Sequence, residues 1–204
     1  SGTTNYNHIA FDENTDGKCL IGYVDHHTST EYGTVIVGQI SGTSMTFGSE
    51  VVFHSITTKF ITPASDPFNA DKYVVSYRAD GDSDTGKAVV VTVSTTTPSM
   101  GSIAEFGGGE ATSYQDISFD PNNENKFALG WGKPSTTQGT FTQIGTISGT
   151  SISYGSIFTI EAEDEPGYDA VSFDRNTPGQ YIFCWRSGLP NNYGTARLCQ
   201  MESA

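Results

Sequence analysis

The stretch Ile117-Ser118-Phe119-Asp120 has close copies at Ile9-Ala10-Phe11-Asp12 and Val171-Ser172-Phe173-Asp174, and a degenerate one at Pro63-Ala64-Ser65-Asp66. The four aspartates stand 54 residues apart. So do Tyr23, Tyr77, Trp131 and Trp185, and Lys18, Lys72 and Lys126 keep the same register, with Gln180 in the fourth copy. A strict long period marks a repeat architecture, in which each unit buries its apolar face against its neighbours. Length changes fall in one loop per copy, where Gly33, Gly86, Gly139 and Gly194 drift by a residue.

Within a copy the pattern reads as four short strands. In the first, strand a (His8 to Asp12) turns through Glu13-Asn14-Thr15-Asp16-Gly17 into strand b (Lys18 to Val24). A polar loop leads to strand c (Gly33 to Ile40), and Ser41-Gly42-Thr43-Ser44 turns the chain into strand d (Met45 to Phe53). Val, Ile, Tyr and Thr fill the strands, while Asp, Asn, Gly and Ser fill the turns. The expected fold is all-β: four blade-like repeats of four short antiparallel strands, β-propeller-like, with an open array of the same sheets as the alternative. The expected boundaries are 1–55, 56–109, 110–163 and 164–204, the last copy lacking its fourth strand. That leaves strand c of copy four, Gly194 to Gln200, as an unguarded edge expected to pair with a neighbouring chain.

Composition narrows the function classes. Only 16% of residues are charged, against a helical protein's need for Glu and Lys, and 12% aromatics exclude disorder. The net charge of −13 would repel phosphate, which argues against nucleic acid and anionic membranes as partners. No run approaches the roughly 20 apolar residues of a transmembrane helix. Ser1 opens no leader peptide, so an extracellular or virion-surface location is expected from character, through a removed leader or particle assembly.

Phe119-Asp120-Pro121-Asn122-Asn123-Glu124-Asn125-Lys126, the Tyr-Gly-Thr of Tyr32-Gly33-Thr34 and Tyr193-Gly194-Thr195, and Ser148-Gly149-Thr150-Ser151 with Ile152-Ser153-Tyr154-Gly155-Ser156 carry a resemblance. The unit resembles the tandem repeat of marine bacteriophage and environmental-virus tail-fibre or appendage proteins. Copy two departs from it at Ser94-Thr95-Thr96-Thr97. The resemblance implies a virion-surface or secreted filament protein and no activity, because such repeats are frames on which recognition is grafted.

Asp12 to Gly17 has the opening rhythm of a calcium loop, but Tyr23 stands where the bidentate glutamate belongs and Leu20 where a ninth-position carboxylate would be. The repeating aspartate is read as a turn cap, and no metal or cofactor is expected. Asp80-Gly81-Asp82-Ser83-Asp84 is read as a solvated loop. His26 and His27 point to opposite sides of an extended chain and are read as loop residues. Three cysteines, Cys19, Cys184 and Cys199, include no CxxC pair. Cys19 replaces an aromatic of the other copies and should be buried. Cys184 and Cys199, on strands b and c of a hairpin centred near Asn191-Asn192, are a candidate cross-strand disulfide if they occupy a non-hydrogen-bonded pair.

An aromatic precedes strand a in every copy: Tyr6, Phe60, Tyr114 and Tyr168. With His8, Asp116 and Asp169 beside them, these rings form a candidate glycan site at a channel mouth, since aromatic faces with adjacent carboxylates suit sugars. The rival reading is that the rings pack between neighbouring units. Tyr23, Tyr77, Trp131 and Trp185 are expected to be structural. The function expected is a non-enzymatic, tail-fibre-type structural protein able to form filaments. A lectin-like carbohydrate-binding propeller is the alternative, and a propeller glycoside hydrolase the remote one.

Overall fold

A computed structural model describes residues 3–26, 30–134, 138–162, 167–188 and 193–201. These residues form antiparallel strands and no helix. Four groups of strands, here called leaves, follow the sequence period. The first leaf holds β1 (Thr4–Phe11), β2 (Lys18–Asp25), β3 (Tyr32–Ser41) and β4 (Ser44–Phe47). β5 (Val51–Ser65) belongs to two leaves: Val51 to Thr57 pair with β3, and Thr58 to Ser65 pair with β6 (Lys72–Ala79). The second leaf continues through β7 (Thr85–Ser94), β8 (Thr97–Met100) and β9 (Ala104–Ala111). The third is β10 (Ser113–Phe119), β11 (Lys126–Lys133), β12 (Gly139–Ser148) and β13 (Ser151–Ala162) in that order. The fourth is β14 (Ala170–Phe173), β15 (Gln180–Arg186) and β16 (Gly194–Gln200).

The turn after each first strand is built as the sequence suggests. The aspartate accepts from the backbone N–H two residues on: Asp12 from Asn14, Asp66 from Phe68, Asp120 from Asn122 and Asp174 from Asn176, at 2.8, 2.9, 2.8 and 2.9 Å. The turn closes on a left-handed residue at Gly17, Asp71, Asn125 and Gly179, the residue types that tolerate positive φ. The other carboxylate oxygen reaches the next leaf. Asp12 accepts from Asp71 N–H at 2.7 Å and Asp120 from Gly179 N–H at 2.9 Å.

Leaves pack face to face through three apolar layers. Leu20, Val35 and Val37 of the first meet Tyr73, Val75 and Tyr77 of the second. Val74, Ala88 and Val90 meet Phe119, Phe127, Leu129 and Trp131 of the third. Ala128 and Ile160 meet Phe173, Tyr181 and Phe183 of the fourth. Small residues make the sockets: a Cβ on Gly22 would meet Ile61, and one on Gly130 would overlap the ring of Phe183. Tyr23, Tyr77, Trp131 and Trp185 are all buried, as is Cys19.

Candidate functional site

The aromatic that precedes each first strand sits at a distortion of the ladder. Register shifts fall between Asn5 and His8, Lys59 and Thr62, and Ser113 and Asp116. Tyr6, Phe60 and Tyr114, inside these bulges, and Tyr168 of the fourth copy hold φ of 53°, 52°, 53° and 59°. Left-handed backbone at a bulky residue costs about 1–3 kcal/mol and persists only where packing compensates. Here the rings touch in sequence, with centroids 5.1, 5.0 and 5.4 Å apart. The four candidate rings are therefore brought together as a ladder from leaf to leaf. Phe60 and Tyr114 are held between neighbours, whereas Tyr168 at the end of the row is 71% exposed. The packing reading thus holds for the inner rungs.

Two arginines at equivalent positions, Arg78 and Arg186, support the ladder. Arg78 lies 4.9 Å from the Phe60 centroid and Arg186 5.4 Å from that of Tyr168, a cation–π geometry. Their spacing on the second strand of copies two and four was the available signal. Asp80 anchors Arg78 and also pairs with Lys59 at 2.7 Å. Burial alone would raise the Asp80 carboxyl, but hydrogen bonds from Arg78 and Lys59 outweigh it and hold it below the ordinary range. Asp82 pairs with Lys87 at 2.8 Å, so the acidic loop is an ion-paired brace and not merely a solvated loop.

Asp116 and Asp169 lie beside the ladder on consecutive leaves. Asp116 accepts from Val171 N–H at 2.9 Å, which ties the third leaf to the fourth. Burial raises its carboxyl, opposed by that hydrogen bond, by one from Ile117 N–H and by the nearby charge of His8. His8 itself is exposed. Asp169 keeps part of its residue surface in solvent, yet both carboxyl oxygens are buried without a hydrogen-bond partner. Burial first, then the Asp116 charge, pushes it up to about 8. A neutral carboxyl is how a buried, unpaired acid avoids the cost of a buried charge. An acid at this value has the strength of a proton donor, but sealed oxygens give a substrate no contact. What remains open is Tyr168, at the rim of a shallow hollow with Cys184, Arg186 and Ala196.

The candidate disulfide is corrected. Cys184 and Cys199 are both free. In the β15–β16 register Cys184 faces Ala196 and Cys199 faces Tyr181, so the two side chains lie on opposite faces of the leaf, one exposed and one buried. The predicted hairpin centre, Asn191-Asn192, lies outside the described residues, as does His27. His26 pairs with Glu31 at 3.4 Å, and His54 Nδ1 lies 3.0 Å from the Tyr77 hydroxyl. Among the described residues no three His, Cys, Asp or Glu side chains are grouped to hold a metal ion. No protein-family model matches the chain, and a search of curated proteins found no match.

Proposed function

We propose that this is a non-catalytic structural repeat protein of an extracellular or virion surface, of the tail-fibre or appendage kind. Its leaves are read as propeller-like blades arranged in an open fan. The observation that carries the reading is how the repeating residues are spent. The Asp12 series closes turns, the Tyr23 series fills cores, and the rings of Phe60 and Tyr114 join neighbouring leaves. Positions kept in every copy serve the frame. Ile9 and Phe11 of the first leaf and Ile182 and Leu198 of the fourth stay well exposed and are not sealed against each other. An open fan fits that better than a closed ring.

The lectin reading keeps one supporting observation, the exposed ring of Tyr168 with Arg186 over it. A glycan array run beside a glycosidase substrate panel separates the readings. The scaffold reading expects neither binding nor turnover. Glycan binding lost in Tyr168→Ala with unchanged thermal stability would establish the lectin, and turnover of any substrate would overturn both.

A further inference from the structure

The three seams between leaves differ at one height, beside the aromatic ladder. Asn7, Ile61, Gln115 and Asp169 hold equivalent positions, one residue past each ring. Ile61 closes the first seam, fully buried over Gly22. Gln115 closes the second: its side-chain amide donates to the Phe60 carbonyl at 3.0 Å, and its backbone carbonyl accepts from the Thr62 hydroxyl at 3.3 Å. The third seam has a carboxyl at that place, Asp169, and a second, Asp116, on the leaf it faces. An ionised carboxylate can only accept, whereas a protonated one can donate as the Gln115 amide does. Asp116 keeps its bond from Val171 N–H, while both Asp169 oxygens are sealed with no partner. Two buried carboxyls facing each other carry two charges only at a large cost, so one of them keeps a proton.

The same seam lacks a tie that the others have. Lys18 reaches Asp71 across the first seam at 2.5 Å, and Lys72 reaches Asn125 across the second at 3.3 Å. The equivalent residue beyond the third seam is Gly179, and Lys126 turns instead to Thr146 of its own leaf, at 2.7 Å. The third seam relies on bonds to backbone, such as Asp120 to Gly179 N–H and Arg197 to the Ile160 carbonyl, and on the layer that contains Phe173, Phe183 and Cys199.

We propose that the seam between the third and fourth leaves is a proton-controlled joint: a proton held by the Asp116–Asp169 pair keeps it shut, and loss of that proton releases the fourth leaf from the third while the other seams stay closed. The joint does not depend on the scaffold reading. In the closed seam Asp169 keeps its proton up to about 8, whereas in an open one it gives it up near the ordinary 3.8. Opening is therefore suppressed in acid, grows about tenfold with each pH unit across that window and levels off above it. Two other charged groups stand near the pair. His8 of β1 acts on Asp116, and Arg186 of β15 lies over the neighbouring Tyr168 ring and stays charged throughout. β11 and β12 present Ala128, Gly130 and Ile144 to the fourth leaf, none of which titrates.

Three cysteines report on the joint. Cys199 lies in the layer that opening exposes, Cys19 is sealed in the first leaf and Cys184 is already exposed. The test is alkylation of the folded 204-residue chain by an uncharged thiol reagent, mapped by mass spectrometry, from about pH 5 to about pH 8. Rates are taken relative to Cys184, which removes the common dependence on thiolate. The Cys199 ratio is expected to rise about tenfold per pH unit while the Cys19 ratio stays flat. Asp169→Asn should flatten the Cys199 curve. Asp116→Asn should keep the slope but end it at lower pH, because the Asp116 charge helps to hold the Asp169 proton. It carries the test if circular dichroism shows Asp169→Asn to be misfolded, and His8→Gln should leave the slope unchanged. A flat Cys199 ratio in the natural chain, a slope that survives in Asp169→Asn, or Cys19 rising in step with Cys199 would overturn the proposal. So would a Cys199 ratio suppressed by calcium chloride in the natural chain but not in Asp169→Asn, because the pair would then hold a cation in place of the proton.

Discussion

Asp169 stands beside the exposed ring of Tyr168 with both carboxyl oxygens buried and without a hydrogen-bond partner. Because its folded value, about 8, lies above the ordinary 3.8, its contribution is fully present in acid and is lost as pH rises through 8. The denaturation midpoint should therefore fall between pH 4 and pH 9, and Asp169→Asn should flatten that slope and exceed the natural chain's stability at pH 9. An unchanged slope would place the titration elsewhere. The cysteines separate in the same way. Cys184 is exposed while Cys19 and Cys199 are buried, so one thiol of the three should react rapidly with an aromatic disulfide reagent in the native protein. The candidate disulfide failed because strand alternation could be read but the pairing register could not: a shift of one residue exchanges the faces.

At the scale of the element, turn chemistry was the most legible part. The carboxylate at the head of each turn and the left-handed residue at its close are local features, written in Asp, Asn and Gly. The exception is informative. Copies one and three place Gly42 and Gly149 at φ of 61°, whereas copy two places the β-branched Thr95 at 59°. Thr95→Gly should stabilise the chain by about 1 kcal/mol, since the left-handed cost at a non-glycine residue is about 1–2 kcal/mol and glycine gives part of it back in entropy. A lower melting temperature would refute this. Asp120 joins a turn to the next leaf, so Asp120→Ala should cost about 1–3 kcal/mol by leaving the buried Gly179 N–H unpaired. Urea titration of the two proteins measures it. The long reach of this carboxylate was not legible, because nothing in the sequence tells which turn lies across the layer. The bulged aromatics were found by period alone, and their positive φ had no sequence signal in Tyr or Phe.

Across the whole molecule, the period established which faces are alike and the structure established which of them meet. A stack of unlike neighbours held by three separate layers should not unfold as one unit. Trp131→Ala removes the ring at the centre of the second layer, at a cost of about 3–5 kcal/mol. In hydrogen exchange, the third leaf should lose protection while β2 and β3 of the first leaf keep theirs. Uniform loss would mean that the layers are coupled more tightly than their contacts suggest. The exception to separateness is β5. As one 15-residue strand it is hydrogen-bonded to the first leaf along its first half and to the second along the rest. Between β9 and β10, by contrast, the ladder breaks at Thr112. Under a pulling force this strand is a tie-rod: tension entering the first leaf passes to the second without slack to absorb it, so the first two leaves resist shear as one body. Were the chain stretched by flow or by attachment, the first two of the described leaves would be its stiff end.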